Sequence, residues 1–232
     1  MTTLTVREAA GRLRSFDNIL ILTHIRPDGD TVGSAAALCA GLRRLGKTAC
    51  LLPNPELTDT TAPYFRPYAA RENFRPERVI STDIATTDLF PENARPYAGR
   101  GDLAIDHHPS FEGFGRENLV RPSAAATGEI IYDILAALGP ITAEMALPLY
   151  VAISTDCGCF AYNNTTAHTH AAVAALLRTG IDFQTVNKTF FRTKSKKRLA
   201  LEAAMLSEIE YHDHERVAVL AVPLSLIARV QA

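Results

Sequence analysis

The sequence predicts an α/β fold: a mainly parallel sheet flanked by helices, followed by a helical linker and the start of a second domain. Three observations carry this expectation. Short apolar runs of strand length recur near 18–22, 48–52, 78–82 and 103–105, separated by stretches of helical length. The runs at 18–22, 78–82 and 103–105 lead into acid or imidazole groups. The second half is mostly of helical period. Strands spaced in this way point to parallel βαβ units. The predicted division is 1–190 for the main domain, 191–215 for the linker and 216–232 for the start of the second domain.

Residues 3–15 form a short amphipathic pattern, with Leu4, Val6, Ala9, Ala10 and Leu13 on one side. Asn18-Ile19-Leu20-Ile21-Leu22 then reads as a buried strand. The polar turn Thr23 to Asp30 follows, and Val32 to Leu45 reads as a packed helix that stops at Gly46. In the turn, Pro27 stiffens the chain and Gly29 lets it reverse. Thr48 to Leu52 is a second strand, closed by Pro53, and 53–76 is loop with at most a short helix. Arg78 to Thr82 delivers Asp83, and Leu103 to Ile105 delivers Asp106, His107 and His108. Helices are expected at Thr127–Leu138, Thr142–Ile153, Thr169–Arg178, from about Phe183, and at Leu199–Ile209. Glu215 to Val222 reads as a further strand.

Composition excludes several classes. Hydrophobic residues make up 47% and charged residues 21%, as in a soluble globular protein. A net charge of −1 argues against non-specific coating of nucleic acid. The N-terminus has neither the basic start nor the apolar core of a signal peptide. No stretch approaches the roughly 20 apolar residues that span a bilayer. Four cysteines without a spaced framework suggest a reducing, cytoplasmic setting.

The chemistry concentrates in His24, Asp28, Asp30, Asp83, Asp106, His107, His108 and Asp156. In an open α/β sheet such groups meet beyond the carboxyl ends of the strands. Four carboxylates meeting there without cations would repel one another severely. Two divalent ions would neutralise Asp28, Asp30, Asp83 and Asp156. Mixed Asp and His ligands favour manganese, with magnesium or cobalt as alternatives. Two such ions about 3.5–4 Å apart suit phosphoryl chemistry.

His24-Ile25-Arg26-Pro27-Asp28-Gly29-Asp30 with Gly33-Ser34, then Asp83, then Asp106-His107-His108, then Thr155-Asp156 with Gly158 and Phe160, resembles the DHH phosphoesterase superfamily. Gly158-Cys159-Phe160, Asn163 to Thr166 and Gly180-Ile181-Asp182 make it most similar to the oligoribonuclease and phosphoadenosine-phosphate phosphatase group. The likeness covers roughly 15–215. It implies that His24, Asp28 and Asp83 hold one metal, and that Asp30, Asp83, His107 and Asp156 hold the other. It implies that His108 faces the substrate phosphate and that Asp106 orients an imidazole.

The implied activity is a manganese-dependent phosphohydrolase using two-metal activation of water. Its substrates would be very short RNA or 3′-phosphoadenosine 5′-phosphate. Arg26 stands where the family commonly has Asn, and would add a phosphate contact or point to solvent. Cys157 stands where Thr is usual. The family's second domain carries a glycine-rich motif ending in His, and no such motif follows Val217 here.

Plainer readings exist for the remaining polar groups. Cys157 and Cys159 suit packing, and His168, His170, His212 and His214 suit capping or solvated roles. The basic run Arg192 to Arg198 suits a solvated linker or guidance of a short oligonucleotide. The chain has no Trp and no stacking array, so long nucleic acid is not expected as a partner. No membrane partner is expected, and a homodimer is admitted. The alternatives are another DHH-type activity (single-strand exonuclease, cyclic-dinucleotide phosphodiesterase or pyrophosphatase), a non-catalytic metal-binding fragment, and a regulatory nucleotide-binding protein.

Overall fold

The structure, a computed structural model, describes residues 2–230. It separates into two units, Met1–Phe191 and Arg192–Ala232. In the first, β1 (Thr2–Thr3), α1 (Val6–Ser15), β2 (Ile19–Leu22), α2 (Gly29–Arg44), β3 (Ala49–Leu51), α3 (Ala62–Phe65), β4 (Arg78–Thr82), β5 (Leu103–Asp106) and β6 (Glu117–Val120) come first. They are followed by α4 (Thr127–Leu138), α5 (Ala143–Asp156), α6 (Ala167–Leu177) and α7 (Phe183–Asn187). The six strands form one sheet in the order β1-β6-β5-β4-β2-β3, and every pair is parallel.

All four residues of β2 are buried because both faces of the sheet are covered. Ile19 and Ile21 join the larger core with α1, α2, α4 and α5, whereas Leu20 and Leu22 join Val79, Ile84, Phe90 and Ala94 on the other face. That second face is covered by short turns such as Thr87–Leu89 and Glu92–Tyr97. The register brings the strand ends level: Leu22 pairs with Ser81, and Thr82 with Ile105. The segments that leave β2, β4 and β5 therefore emerge side by side.

Helix α2 is buried from Gly29 through Leu42. A helix with no polar face belongs inside a domain. Its small residues let neighbours approach closely: a Cβ added at Gly33 would collide with the Pro148 carbonyl oxygen and sit 2.8 Å from the Ala152 nitrogen of α5.

Several boundaries differ from expectation for physical reasons. Helix α1 starts at Val6 because Thr5 and Glu8 form a capping box, while Thr2 and Thr3 pair with Glu117 and Asn118 of β6. Helix α2 starts inside the polar turn, since the Asp28 carboxylate caps it by accepting from the Asp30 and Thr31 N–H groups. Strand β6, which has only two fully buried residues, gave no apolar run to read.

The second unit contains α8 (Lys196–Leu206), β7 (Glu210–His212), β8 (Val217–Val219) and α9 (Leu224–Val230). Ser195 caps α8 by accepting from the Arg198 N–H. The strand expected over 215–222 is confined to Val217–Val219, which pairs antiparallel with β7. Asp213, His214 and Glu215 adopt positive φ values of 48°, 55° and 65° in the connecting turn. Strand β7 lies within the 191–215 segment expected as a helical linker. Residues 231–232 of the expected 216–232 segment, and residue 1 of the expected 1–190 domain, lie outside the described residues.

Candidate metal centre

Just past β2, His24 Nδ1–H donates to the Ile25 carbonyl at 2.6 Å. That leaves Nε2 facing two carboxylates, Asp28 Oδ1 and Asp83 Oδ2, each 3.7 Å away. Asn54 holds this turn by donating to Thr23 Oγ1 and to the His24 carbonyl. Arg26 adopts a left-handed backbone with φ 48°, and its N–H donates to Glu56 Oε2.

Asp83 follows β4 with φ 61° and is buried. Its backbone N–H still bonds to Ile105 of the neighbouring strand, so the side chain is aimed by the sheet. One oxygen faces His24, and the other lies 3.8 Å from His107 Nε2. His107 Nε2 is also 3.5 Å from Asp156 Oδ2 and 3.9 Å from Asp30 Oδ2. Buried, it has no hydrogen-bond partner. His108 turns differently: Asp106 Oδ1 accepts from its backbone N–H at 2.6 Å and from Nδ1 at 2.8 Å. The imidazole that Asp106 orients is thus that of His108. His107 instead places Nδ1 3.2 Å from the Ala124 carbonyl.

Asp30 is almost fully buried and is held by three neutral donors: the N–H groups of Thr127 (2.7 Å) and Gly128 (2.9 Å), and the Ser34 hydroxyl (2.9 Å). No side chain of its own segment caps α4; Asp30 does so from the start of α2. The Thr127 hydroxyl also donates to Asp83 Oδ1 at 2.9 Å. Ser34 belongs to the Gly33-Ser34 pair of the sequence pattern, whereas sequence reasoning assigned no site role to Thr127 and Gly128. The available signal was weak: a Thr-Gly pair opening a helix resembles any helix start.

Three sets of side chains offer donor atoms within 4.8 Å of one another: His24, Asp28 and Asp83; Asp30, His107 and Asp156; and Asp83, His107 and His108. The three sets bring together seven of the eight acid and imidazole residues, and the eighth, Asp106, bonds to His108. Arg26, Ile25 and Leu89 join His24, Asp28, Asp83, His108 and Asp156 around a cavity of about 390 Å³. Cys157 is buried, and burial pushes its thiol up to about 11; Cys159 is half-buried. His168 pairs with Asp133, and His170 packs against Phe160.

Charge in this cluster is frustrated. Burial, then repulsion from Asp83, Asp156 and Asp28, holds the Asp30 carboxyl well above the usual range. Burial raises Asp156 to about 6; His107 opposes this, while Asp83 and Asp28 reinforce it. Burial alone would lower His24, but the facing Asp28 and Asp83 carboxylates prevail and hold it at about 10. The Asp106 bond lifts His108 to about 8. A partnerless buried imidazole nitrogen among three carboxylates, each too far for a hydrogen bond, is what a shared cation would satisfy. The donor set fits a divalent metal.

These shifts predict the behaviour of protein stripped of metal by a chelator. The four groups are raised, so the folded chain holds more protons than the unfolded chain at neutral pH. The stability they contribute is present at low pH and is lost as pH rises through the folded values. Asp28 is lowered, and its opposing contribution falls below the ordinary carboxylate value of 3.8. The melting temperature in chelator should therefore fall from about pH 5.5 to about pH 9. A flat or rising profile over that window would contradict this charge distribution.

A parallel sheet with acid and imidazole groups massed beyond its carboxyl edge defines a class of α/β proteins built around an edge site. The description "DHH family, N-terminal domain" matches residues 18–153, and the chain belongs to the DHH family. It is 32% identical over 202 residues to a Thermus thermophilus protein named bifunctional oligoribonuclease and PAP phosphatase NrnA, covering 84% of this chain and 60% of that one. A Bacillus subtilis protein of the same name is 26% identical over 190 residues, covering 77% of this chain and 58% of that protein. The chain thus spans about 60% of the length of these relatives. An exopolyphosphatase-related protein from Bacteroides fragilis shares the fold with a TM-score of 0.85 and 22% identity, over 97% of this chain and 72% of that chain.

Proposed function

We propose that the chain is a metal-dependent phosphoesterase acting on very short RNA, 3′-phosphoadenosine 5′-phosphate, or both. The observation that carries this reading is Asp83, whose two oxygens face two separate acid and imidazole sets. His24, Asp28 and Asp83 would hold one ion, and Asp30, Asp83, His107 and Asp156 the other. Two divalent ions, manganese by this donor mix, supply Lewis-acid charge that acidifies water and offsets the negative charge of a phosphoryl transition state.

The chain's own residues position and discharge the substrate. With Nδ1 engaged by Asp106, His108 has Nε2 left for a phosphate oxygen. The same bond favours the protonated ring, whose Nε2–H would donate to that oxygen. Arg26 lines the cavity and draws anions towards it. Ile25 and Leu89 give it an apolar wall. The names of the relatives support the substrate class. We also propose a reducing, cytoplasmic setting, supported by four free cysteines. No helix among the described residues is long and apolar enough to cross a membrane.

The test is product release with manganese present, using a dinucleotide RNA, phosphoadenosine phosphate, pyrophosphate and a generic aryl phosphodiester. Turnover of either of the first two supports the proposal. Turnover of the aryl ester alone retains the phosphoesterase and removes the substrate assignment. Silence on all four with metal bound leaves a non-catalytic binding fragment.

Thr127 offers a sharper probe of Asp83. Thr127→Val keeps the side-chain shape but removes the hydroxyl that orients the carboxylate. It should weaken manganese affinity roughly 10–100-fold, and Thr127→Ser should keep it near normal. Calorimetric titration reads this directly; equal affinity in the Val variant would deny the hydroxyl an orienting role.

A further inference from the structure

We propose that a basic cavity at the amino edge of the sheet is a second anion site that binds a small phosphate-bearing molecule. The cavity is about 520 Å³ and is lined by Arg43, Arg71 and Arg75, with Asn18, Thr48 and Asn73 among the other residues. That volume lies in the range of small-molecule sites. No carboxylate lines it. The whole chain carries a net charge of −1, so three guanidinium groups around one cavity are a local concentration of charge.

The cavity is distinct from the metal centre. Asn18 and Thr48 precede β2 and β3, whereas His24 follows β2. Arg43 lies in the last turn of α2 and Asp30 in its first turn. At 1.5 Å per residue, the two positions are separated by about 20 Å along the helix.

The donors are partly fixed in advance. Arg43 Nε donates to the Ala49 carbonyl at 2.8 Å, and its guanidinium lies 5.2 Å from the centre of the Tyr68 ring. Its terminal nitrogens make only long contacts, 3.4 Å to the Pro67 carbonyl and 3.7 Å to Cys50 Sγ. Arg75 Nη1 reaches two backbone carbonyls at 3.3 and 3.4 Å. The Arg71 side chain makes no hydrogen bond or ion pair among the described residues. Of the nearby acids, Asp17 accepts the Asn18 and Thr48 N–H groups and Glu77 accepts from the Asn18 amide, while Glu72, next to Arg71, does not line the cavity. Planar guanidinium donors match the oxygens of a phosphate group. That group could arrive as inorganic phosphate or as a nucleoside monophosphate, for which the Phe74 ring in the lining provides an apolar contact.

Calorimetric titration of inorganic phosphate and of adenosine 5′-monophosphate into three proteins tests the proposal: wild type, Arg71→Ala/Arg75→Ala and Asp83→Asn. Arg71 and Arg75 are exposed, so their replacement should not disturb folding. Wild type and Asp83→Asn should bind alike. Arg71→Ala/Arg75→Ala should bind at least about tenfold more weakly, and Arg71→Lys/Arg75→Lys should recover part of the loss. Turnover at the metal centre should be unchanged in the double alanine variant. Tighter binding of the nucleotide than of phosphate supports a nucleotide site, and equal binding supports a phosphate site. Equal affinity in wild type and double alanine variant, loss only in Asp83→Asn, or no binding by wild type at millimolar ligand overturns the proposal.

Discussion

Asp83→Ala is expected to reduce turnover at least about a thousandfold and to impair both metal sites together. No other carboxylate in the cluster has one oxygen towards His24 and the other towards His107. Asp28 faces only His24, so Asp28→Ala should affect one set and leave more residual activity. Alanine at a φ of 61° also adds backbone strain, whereas Asn tolerates that conformation. Asp83→Asn therefore separates chemistry from folding: it should retain the circular dichroism spectrum while losing metal and turnover. Normal turnover by a folded Asp83→Ala protein, measured with manganese content, would falsify the two-set reading.

Gly33→Ala is expected to destabilise the protein by about 2–3 kcal/mol through overpacking. The new methyl would meet the backbone of α5 at Pro148 and Ala152, which cannot swing aside as a flexible side chain could. For a chain of this size the melting temperature should drop by roughly 4–12 °C. The effect should reach the site, because α2 carries Asp28 and Asp30 at its start while α5 ends on Asp156. Metal affinity should fall with stability. Gly11→Ala is the control: its added Cβ meets nothing within 4 Å on the exposed side of α1, so helix propensity should make it neutral or slightly stabilising. Equal melting temperatures for the two variants would show that α2 and α5 have room to spare.

Much of this architecture was legible because it is written in local patterns. The run Ile19 to Leu22 can be apolar throughout only where both sheet faces are covered, and the structure covers both. The acids and imidazoles at strand ends can be grouped from the sequence, since parallel strands place their carboxyl ends together. What stayed hidden depends on distant partners. Thr2 and Thr3 become a strand only because β6 lies beside them, and β6 itself shows just two buried residues. The capping of α4 by Asp30 joins residues almost a hundred positions apart, and no local rule finds it. Asp106 illustrates an intermediate case: an imidazole partner was expected, but only the backbone path after β5 decides that it is His108.

The burial of α2 bears on how the site moves. With no face towards water from Gly29 to Leu42, its central amides can exchange with deuterium only when the surrounding unit opens as a whole. In a labelling time course this helix should be among the last segments to gain mass. Asp28 and Asp30 are thus carried by slow, cooperative backbone, while Arg26 sits on an exposed turn. The two carboxylates at the helix start are thus the fixed reference of the site.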